Sequence, residues 1–226
     1  MNRLALLSRS TVLAFAPRAY VRKNATAAAA PASEAAATPA NYSRPMQIFH
    51  WFMGIGMCGA IGLVVAAQQL PGKKNGDPVN DAKVARRGEL MKFHKSIGLA
   101  MFAAMVPRVG LRLVSKIPAP LPGAPWEHLA GTLSHALLYG AIVFMPASGV
   151  IFGYYGGYGV PFFDIWKLQG ATPEKKNKEI ADFFFTWHTR VGEALEYLLV
   201  AHVGAVFYHI LIKKQAILAR MYKGNK

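Results

Sequence analysis

The seven histidines are the residues through which this chain is best equipped to do chemistry, because each lies in or beside a long apolar segment. An ionisable side chain inside a bilayer is costly and usually marks a functional site. One such histidine is commonly a hydrogen-bonding residue between helices, but this many in one small protein favour ligands. They are His50, His94, His128, His135, His188, His202 and His209.

Two histidines in the last apolar segment have an informative spacing. His188 and His202 are 14 residues apart, so a helix separates them by ~21 Å along its axis but only about 40° around it. One metal ion cannot contact both side chains, whereas two stacked macrocycles can. The spacing therefore predicts two cofactors, one near each membrane face.

The histidines lie on four apolar segments that are each long enough to cross a hydrocarbon core, which takes about 20 helical residues. The segments cover residues 46–69, 90–113, 129–155 and 184–212. Connections rich in proline, glycine and charge separate them, and the last, residues 156–183, is the longest. We predict an all-α fold, a multi-pass four-helix bundle in the membrane. Both chain ends then lie on one face, side A, and the opposite face is side B; the basic residues do not settle the orientation.

This topology selects ligand pairs of matching height. His50 lies near the start of the first helix on side A, at the same height as His202. His94 lies near the start of the second helix on side B, at the same height as His188. Two histidines fill both axial positions of a haem iron, which favours electron transfer over oxygen binding. We therefore predict two b-type haems, held by His50 with His202 and by His94 with His188. Attachment of a c-type haem is excluded because the chain has no CxxCH motif.

Two further histidines are candidates for a quinone site. His209 lies seven residues beyond His202 on nearly the same face, ~10 Å closer to side A. It either binds or protonates a quinone beside the side A haem or faces lipid headgroups. For His135 on the third helix the same alternatives apply, with the structural role favoured.

Arginines near the ends of the predicted spans suit haem propionates, since a guanidinium pairs with a carboxylate through two hydrogen bonds. Contact with lipid phosphate is the competing interpretation. Glu193 and Glu196, deeper in the fourth helix, either pair with Arg190 or line a polar proton path. The four candidate arginines are Arg44, Arg108, Arg112 and Arg190.

Composition and charge restrict the setting. Charged residues make up 16% of the 226 residues, low for a soluble domain, and the net charge is +15. No nucleic-acid motif accompanies this charge, so we expect no nucleic-acid partner. Residues 1–40 are basic, contain serine and have a single acid, Glu34, as in a mitochondrial transit peptide with an Ala/Pro linker. We predict targeting to the mitochondrial inner membrane, with residues 41–226 as the membrane domain.

Over roughly residues 41–222 the chain resembles the bacterial-type cytochrome b561 family. The resemblance implies a di-haem electron carrier linked to quinone, with ligands at the four histidines paired above. One branch of that family is a superoxide oxidase that passes electrons to ubiquinone, and other members are subunits of hydrogenases and dehydrogenases. The stretches that carry the resemblance are NYSRPMQIFHW, LMKFHKSIGLA, PRVGLRL, SHALLYGAIVFMPASGVIFGYY and FFTWHTRVGEALEYLLVAHVGAVFYHILIKKQAILARM.

Two functions follow as expectations. The first is transmembrane electron transfer to ubiquinone, with superoxide as the electron donor. Basic residues on side B would attract the superoxide anion by electrostatic steering. The alternative interpretation is that those residues contact anionic lipids. The second is a haem-bearing or structural anchor subunit of a larger respiratory complex. Glu193, Glu196 and the presequence depart from the family pattern and leave the partner open. The basic residues are Lys73, Lys74, Lys83, Arg86, Arg87, Lys92 and Lys95.

Overall fold

The computed structural model describes residues 41–223, and within them four helices are long and apolar enough to cross a membrane. The predicted all-α membrane bundle is confirmed. The predicted presequence, residues 1–40, lies outside the described residues. The helices are α1 (Arg44–Gln68), α2 (Pro78–Val114), α3 (Pro125–Tyr155) and α4 (Lys178–Phe207), and α4 continues into a π-helical turn, Tyr208–Ile212.

Helix α2 starts well before the apolar segment that predicted it. The polar residues from Pro78 onward were predicted to be loop, and that prediction is wrong. The Asp77 side chain accepts a hydrogen bond from the backbone N–H of Asn80, and Pro78 occupies the first helical turn. Both features favour helix initiation. The extra turns carry Arg87 to the end of α1, where its Nη1 donates to the carbonyls of Ala67 and Leu70.

The connection between α3 and α4 contains a small antiparallel hairpin, β1 (Val160–Phe162) with β2 (Trp166–Leu168), which sequence patterns did not predict. Fully buried Ser96 of α2 anchors this hairpin. Its hydroxyl accepts from the backbone N–H of Phe163 at 2.7 Å and shares its own hydrogen between the carbonyls of Lys92, at 2.8 Å, and Pro161, at 3.2 Å. Gly159 turns into the hairpin with a φ of +67°, a backbone conformation that favours glycine. The hairpin is therefore fixed to the side B half of α2.

The interior of the bundle is small, and much of the apolar surface faces outward. Met53, Met101, Ala104 and Ile142 form the buried cluster, so helices α1, α2 and α3 meet there. At Gly56 of α1 a Cβ atom would stand 2.6 Å from the Met101 methyl group, so a larger residue there would require the Met101 side chain to move. Outward apolar side chains are expected where lipid is the solvent.

The segment that follows α4 folds back against the start of α1 on side A. Gln47, which is buried, donates from Nε2 to the carbonyls of Tyr42, Arg220 and Lys223. Trp51 Nε1 donates to the carbonyl of Met221 at 2.9 Å. The two ends of the described chain are therefore joined on one face, as an even number of spans requires.

Candidate functional site

His94 of α2 and His188 of α4 form the ring pair near side B. Their ring centroids are 6.2 Å apart and their planes are nearly perpendicular, at 89°. Each ring is oriented by a hydrogen bond at Nδ1: that of His94 lies 3.0 Å from the Ala60 carbonyl and that of His188 lies 2.9 Å from Ser148 Oγ. The Nε2 atom of each ring is thereby left for another partner.

The hydrogen bonds at Nδ1 determine which nitrogen of each ring carries the proton. A carbonyl only accepts, so His94 donates from Nδ1 to Ala60. The Ser148 hydroxyl lies 2.9 Å from both the Met145 carbonyl and His188 Nδ1, and with its hydrogen on that carbonyl it accepts from Nδ1. In this arrangement each neutral ring keeps a lone pair on Nε2. Histidines that bind metals are commonly oriented in this way by an acceptor at the other nitrogen.

His50 of α1 and His202 of α4 form the pair near side A. Their ring centroids are 6.3 Å apart with an interplanar angle of 59°. His135 of α3 also contacts His202, at 5.5 Å between centroids, while its Nδ1 lies 2.6 Å from the carbonyl of Gly131. Three histidines thus surround this level of the bundle, whereas side B has two.

The separation within each pair fits two axial ligands of one metal centre. Imidazole nitrogen bonds a metal at about 2.0–2.1 Å and lies roughly 1.1 Å from its ring centre, so rings on opposite sides have centroids about 6.3 Å apart. The observed separations are 6.2 and 6.3 Å. Within residues 41–223 no group of three or more histidine, cysteine or acidic side chains could hold an ion alone. A centre with two protein ligands requires a macrocycle to supply the others, as in a haem.

Arg108 is the one candidate arginine that is buried among the described residues. It is 8% exposed, donates to Met46 Sδ at 3.4 Å and lies over the Tyr139 ring at 5.0 Å. Its charge acts on His50. No carboxylate pairs with it among the described residues, although a buried cation normally has an anionic partner. This unpaired guanidinium fits the carboxylate of a haem propionate.

The other three candidate arginines have different surroundings. Arg44 donates to the carbonyl of Tyr222 in the segment after α4. Arg112 is half-buried near the end of α2. Arg190 is exposed on the outer face of α4, above the Trp187 ring at 5.7 Å. It forms no ion pair with Glu193 or Glu196 within the described chain, so the pairing expected for those acids is not observed there.

His209 lies in the π-helical turn. The prediction placed it by regular α-helical geometry from His202, but the α-helix ends at Phe207, two residues before His209. Its Nδ1 is 2.7 Å from Gln215 Oε1, and Gln215 Nε2 donates to the carbonyl of Pro122. Glu127 binds both ends of the turn: its carboxylate accepts a hydrogen bond from the Tyr208 hydroxyl and forms an ion pair with Lys213. The hydrogen bond with Glu127 raises the pKa of Lys213. Such π turns are frequent at functional sites.

Sequence reasoning did not identify the groups that orient the side B rings. Ser148 is 1% exposed on α3, and Gly149 beside it would place a Cβ atom 3.4 Å from the His188 ring. The signal was a serine and a glycine inside an otherwise apolar span. The Ala60 carbonyl leaves no signal, because every residue carries one.

Comparison with known proteins identifies similar membrane proteins. A family model described as prokaryotic cytochrome b561 matches residues 41–224. The chain is 29% identical over 188 residues to cytochrome b561 homolog 2 of Escherichia coli (strain K12), which is 81% of this chain and 92% of that protein. It is 27% identical over 134 residues to cytochrome b561 homolog 1 of the same organism, 59% of this chain and 74% of that protein.

Proposed function

The chain belongs to the prokaryotic cytochrome b561 family, and from that premise we propose that it carries two b-type haems, one held by each ring pair. Membership of the family supports transmembrane electron transfer through haem, and the four helices make the chain a multi-pass membrane protein. The observation that carries the proposal is the ring separation, 6.3 Å for His50 with His202 and 6.2 Å for His94 with His188.

The residues of the chain have three tasks in this proposal. Haem iron, when bound, exchanges single electrons. His50 with His202 and His94 with His188 would hold the two haems, and iron held by two histidines would favour electron transfer over oxygen binding. Ser148 and the Ala60 carbonyl keep the side B rings neutral with Nε2 unprotonated. On side A, Arg108 provides a buried positive charge that stabilises a propionate.

Helix α4 sets the distance between the two haem centres in this proposal. His188 and His202 both project from it, and 14 helical residues rise ~21 Å. The two centres therefore stand near opposite faces of the bilayer, and an electron entering at one face can leave at the other.

We propose a quinone, ubiquinone in a mitochondrion, as the electron acceptor on side A. His209 supports this choice, since it lies beyond His202 at the end of the membrane-spanning segment and is oriented by Gln215. Its imidazole ring can both donate and accept a proton, so it suits proton exchange with a quinone that is being reduced. His135, in contact with His202, is the second candidate for this site.

We propose superoxide as the donor on side B, which would make the protein a superoxide:ubiquinone oxidoreductase. Cationic side chains around α2 support an anionic donor by steering it to this face. Arg87 already binds carbonyls at the end of α1, and Lys92 already pairs with Glu89 and Asp164. Among the predicted basic residues, four are exposed and available for the purpose: Lys73, Lys74, Lys83 and Arg86.

The location that fits this proposal is the mitochondrial inner membrane, with residues 1–40 as the targeting presequence and residues 41–226 as the membrane domain. The basic composition of residues 1–40 supports it. A fluorescent fusion of the whole chain should co-localise with a mitochondrial marker, and deletion of residues 2–40 should abolish that. Unchanged distribution after deletion would refute the targeting role.

The test of the cofactor proposal is a pyridine-haemochrome determination of haem per chain for single alanine variants. The unmodified protein should contain two b haems. His94→Ala and His188→Ala should each lose the same haem, and His50→Ala and His202→Ala the other. One haem per chain, or loss of different spectral components within a pair, would overturn the assignment.

Two measurements separate the superoxide oxidase from an anchor subunit. Stopped-flow mixing with superoxide should reduce the haems, and added ubiquinone should reoxidise them. Haems that stay oxidised would refute the oxidase proposal. Native gels of membranes stained for haem would then reveal the alternative, a haem-bearing subunit that migrates with a larger respiratory complex.

A further inference from the structure

The outer face of α4 carries a continuous row of exposed residues at alternating steps of four and three. Positions with this spacing form one straight seam along a helix, the pattern through which two helices associate. Tyr197 and Val200 in the centre are 78% and 73% exposed. The row, called here the α4 seam, consists of Thr186, Arg190, Glu193, Tyr197, Val200 and Gly204.

Two charged residues of the α4 seam lie at membrane depth. Gly192, next to Glu193, faces the end of the Met145 side chain, 3.4 Å from where a Cβ atom would stand. Met145 is near the middle of α3, which has no acidic or basic residue other than histidine after Glu127. Glu193 is therefore level with a part of the neighbouring helix that has no charged side chain, and Arg190 lies one turn closer to side B.

Neither charge is neutralised within the described chain. Arg190 lies over the Trp187 ring at 5.7 Å, and among residues 41–223 no ion pair includes Arg190 or Glu193. Lipid tails cannot solvate such groups, and charged residues within spans almost always face protein or water. The outward position of both residues therefore calls for a polar partner beside α4.

The side A half of the α4 seam permits close helix contact. Gly204 lies in the row, and exposed Ala201 and Ala205 flank it. Small residues at four-residue spacing let helix backbones approach in membranes, where packing rather than hydrophobicity drives association. Polar residues at one end and small residues at the other thus favour the same type of contact.

We propose that the α4 seam binds the α4 seam of a second copy of this chain, in a dimer whose two-fold axis is perpendicular to the membrane. The charges of the seam are self-complementary, since each copy offers one cation and one anion. Arg190 and Glu193 differ by three residues, so Arg190 lies ~4.5 Å in height from Glu193 of the partner subunit. That difference is within reach of the long arginine side chain. The proposal does not depend on which cofactors or substrates the protein uses.

Cysteine cross-linking in native membranes tests the contact. In a Cys58→Ser background, Val200→Cys places a thiol on the α4 seam. Val106→Cys on α2 is the matched control, because that valine is similarly exposed, at 68%. Copper-phenanthroline oxidation should give several-fold more homodimer for Val200→Cys. Equal yields at the two positions, or a cross-link from Val200→Cys to a different protein, would overturn the proposal.

Charge reversal tests the pairing. Arg190→Glu alone leaves two acids on each seam and Glu193→Arg alone leaves two bases, so each variant should be monomeric in mild detergent. Coexpressed with different tags, the two variants should co-purify, because an acidic seam then meets a basic one. An effect confined to one chain cannot be rescued by another chain. Failure to co-purify, with both variants helical by circular dichroism, would refute the pairing.

Discussion

The hydrogen bond between His188 Nδ1 and Ser148 Oγ gives the most specific prediction for the proposed haem near side B. Ser148→Ala removes the acceptor of the ring N–H at a site that is 1% exposed. A buried donor left without a partner costs about 1–3 kcal/mol. Loss of such supporting partners typically lowers metal affinity by roughly 10- to 100-fold, which is of the same order. We therefore expect the side B haem to be lost selectively during purification.

The same substitution should change the reduction potential of that haem. A hydrogen bond at Nδ1 makes the imidazole a stronger donor, which favours the oxidised metal. Without it the potential should rise, and a difference of about 1 kcal/mol between oxidation states corresponds to roughly 40 mV for one electron. Spectroelectrochemical titration should show one component shifted upward and the other unchanged. His94→Ala, which lacks the side B haem, identifies the component.

Ser134→Ala is the matched control, because Ser134 is on the same helix and its hydroxyl bonds the carbonyl three residues earlier, as Ser148 does. It has no bond to a histidine ring. The reasoning is refuted if Ser148→Ala leaves potential and haem retention unchanged, or if Ser134→Ala shifts the side B component equally.

Three further predictions follow from the structure. Arg108→Leu should weaken retention of the side A haem, because a propionate loses its buried cation, whereas Arg108→Lys should keep part of that retention. The ratio of haem to protein chain measures retention in each variant. Equal retention in the unmodified protein and both variants would contradict the role of Arg108. His209→Ala should slow reoxidation of the haems by ubiquinone without changing haem content, and an unchanged rate would remove His209 from the quinone site. Gly159→Ala should lower the Tm, since its φ of +67° and the Leu168 carbonyl 2.5 Å from the new Cβ atom cost about 1–3 kcal/mol. Gly54→Ala, where no atom lies within 4 Å, is the control and should not lower the Tm, since alanine favours a helix interior.

The four helices and the two ring pairs were predictable because both depend on regular helix geometry. Apolar length determines a span, and a 14-residue step determines the height and direction of His188 and His202. The heights of His50 and His94 follow from the alternating direction of the helices. These quantities need no knowledge of side-chain packing.

The supporting details were not predictable, since they depend on contacts between distant residues. The hairpin is held by Ser96, which is 65 residues from Pro161, and a serine inside a span has no distinctive pattern. The early start of α2 involves the capping residue Asp77. Because the residues around Asp77 are polar, as in a loop, the sequence did not indicate a helix there. The π turn at His209 requires the bonds of Glu127 to Tyr208 and Lys213, which no local sequence reveals.

Both ring pairs use α4, and this affects how the protein is made. His50 and His94 are synthesised and inserted first, but each meets its partner ring only when the last helix enters the membrane. The contact of Gln47 with the carbonyls of Arg220 and Lys223 is made later still. Any cofactor held by two rings is therefore acquired after translation is almost complete. A chain arrested before α4 cannot form either pair.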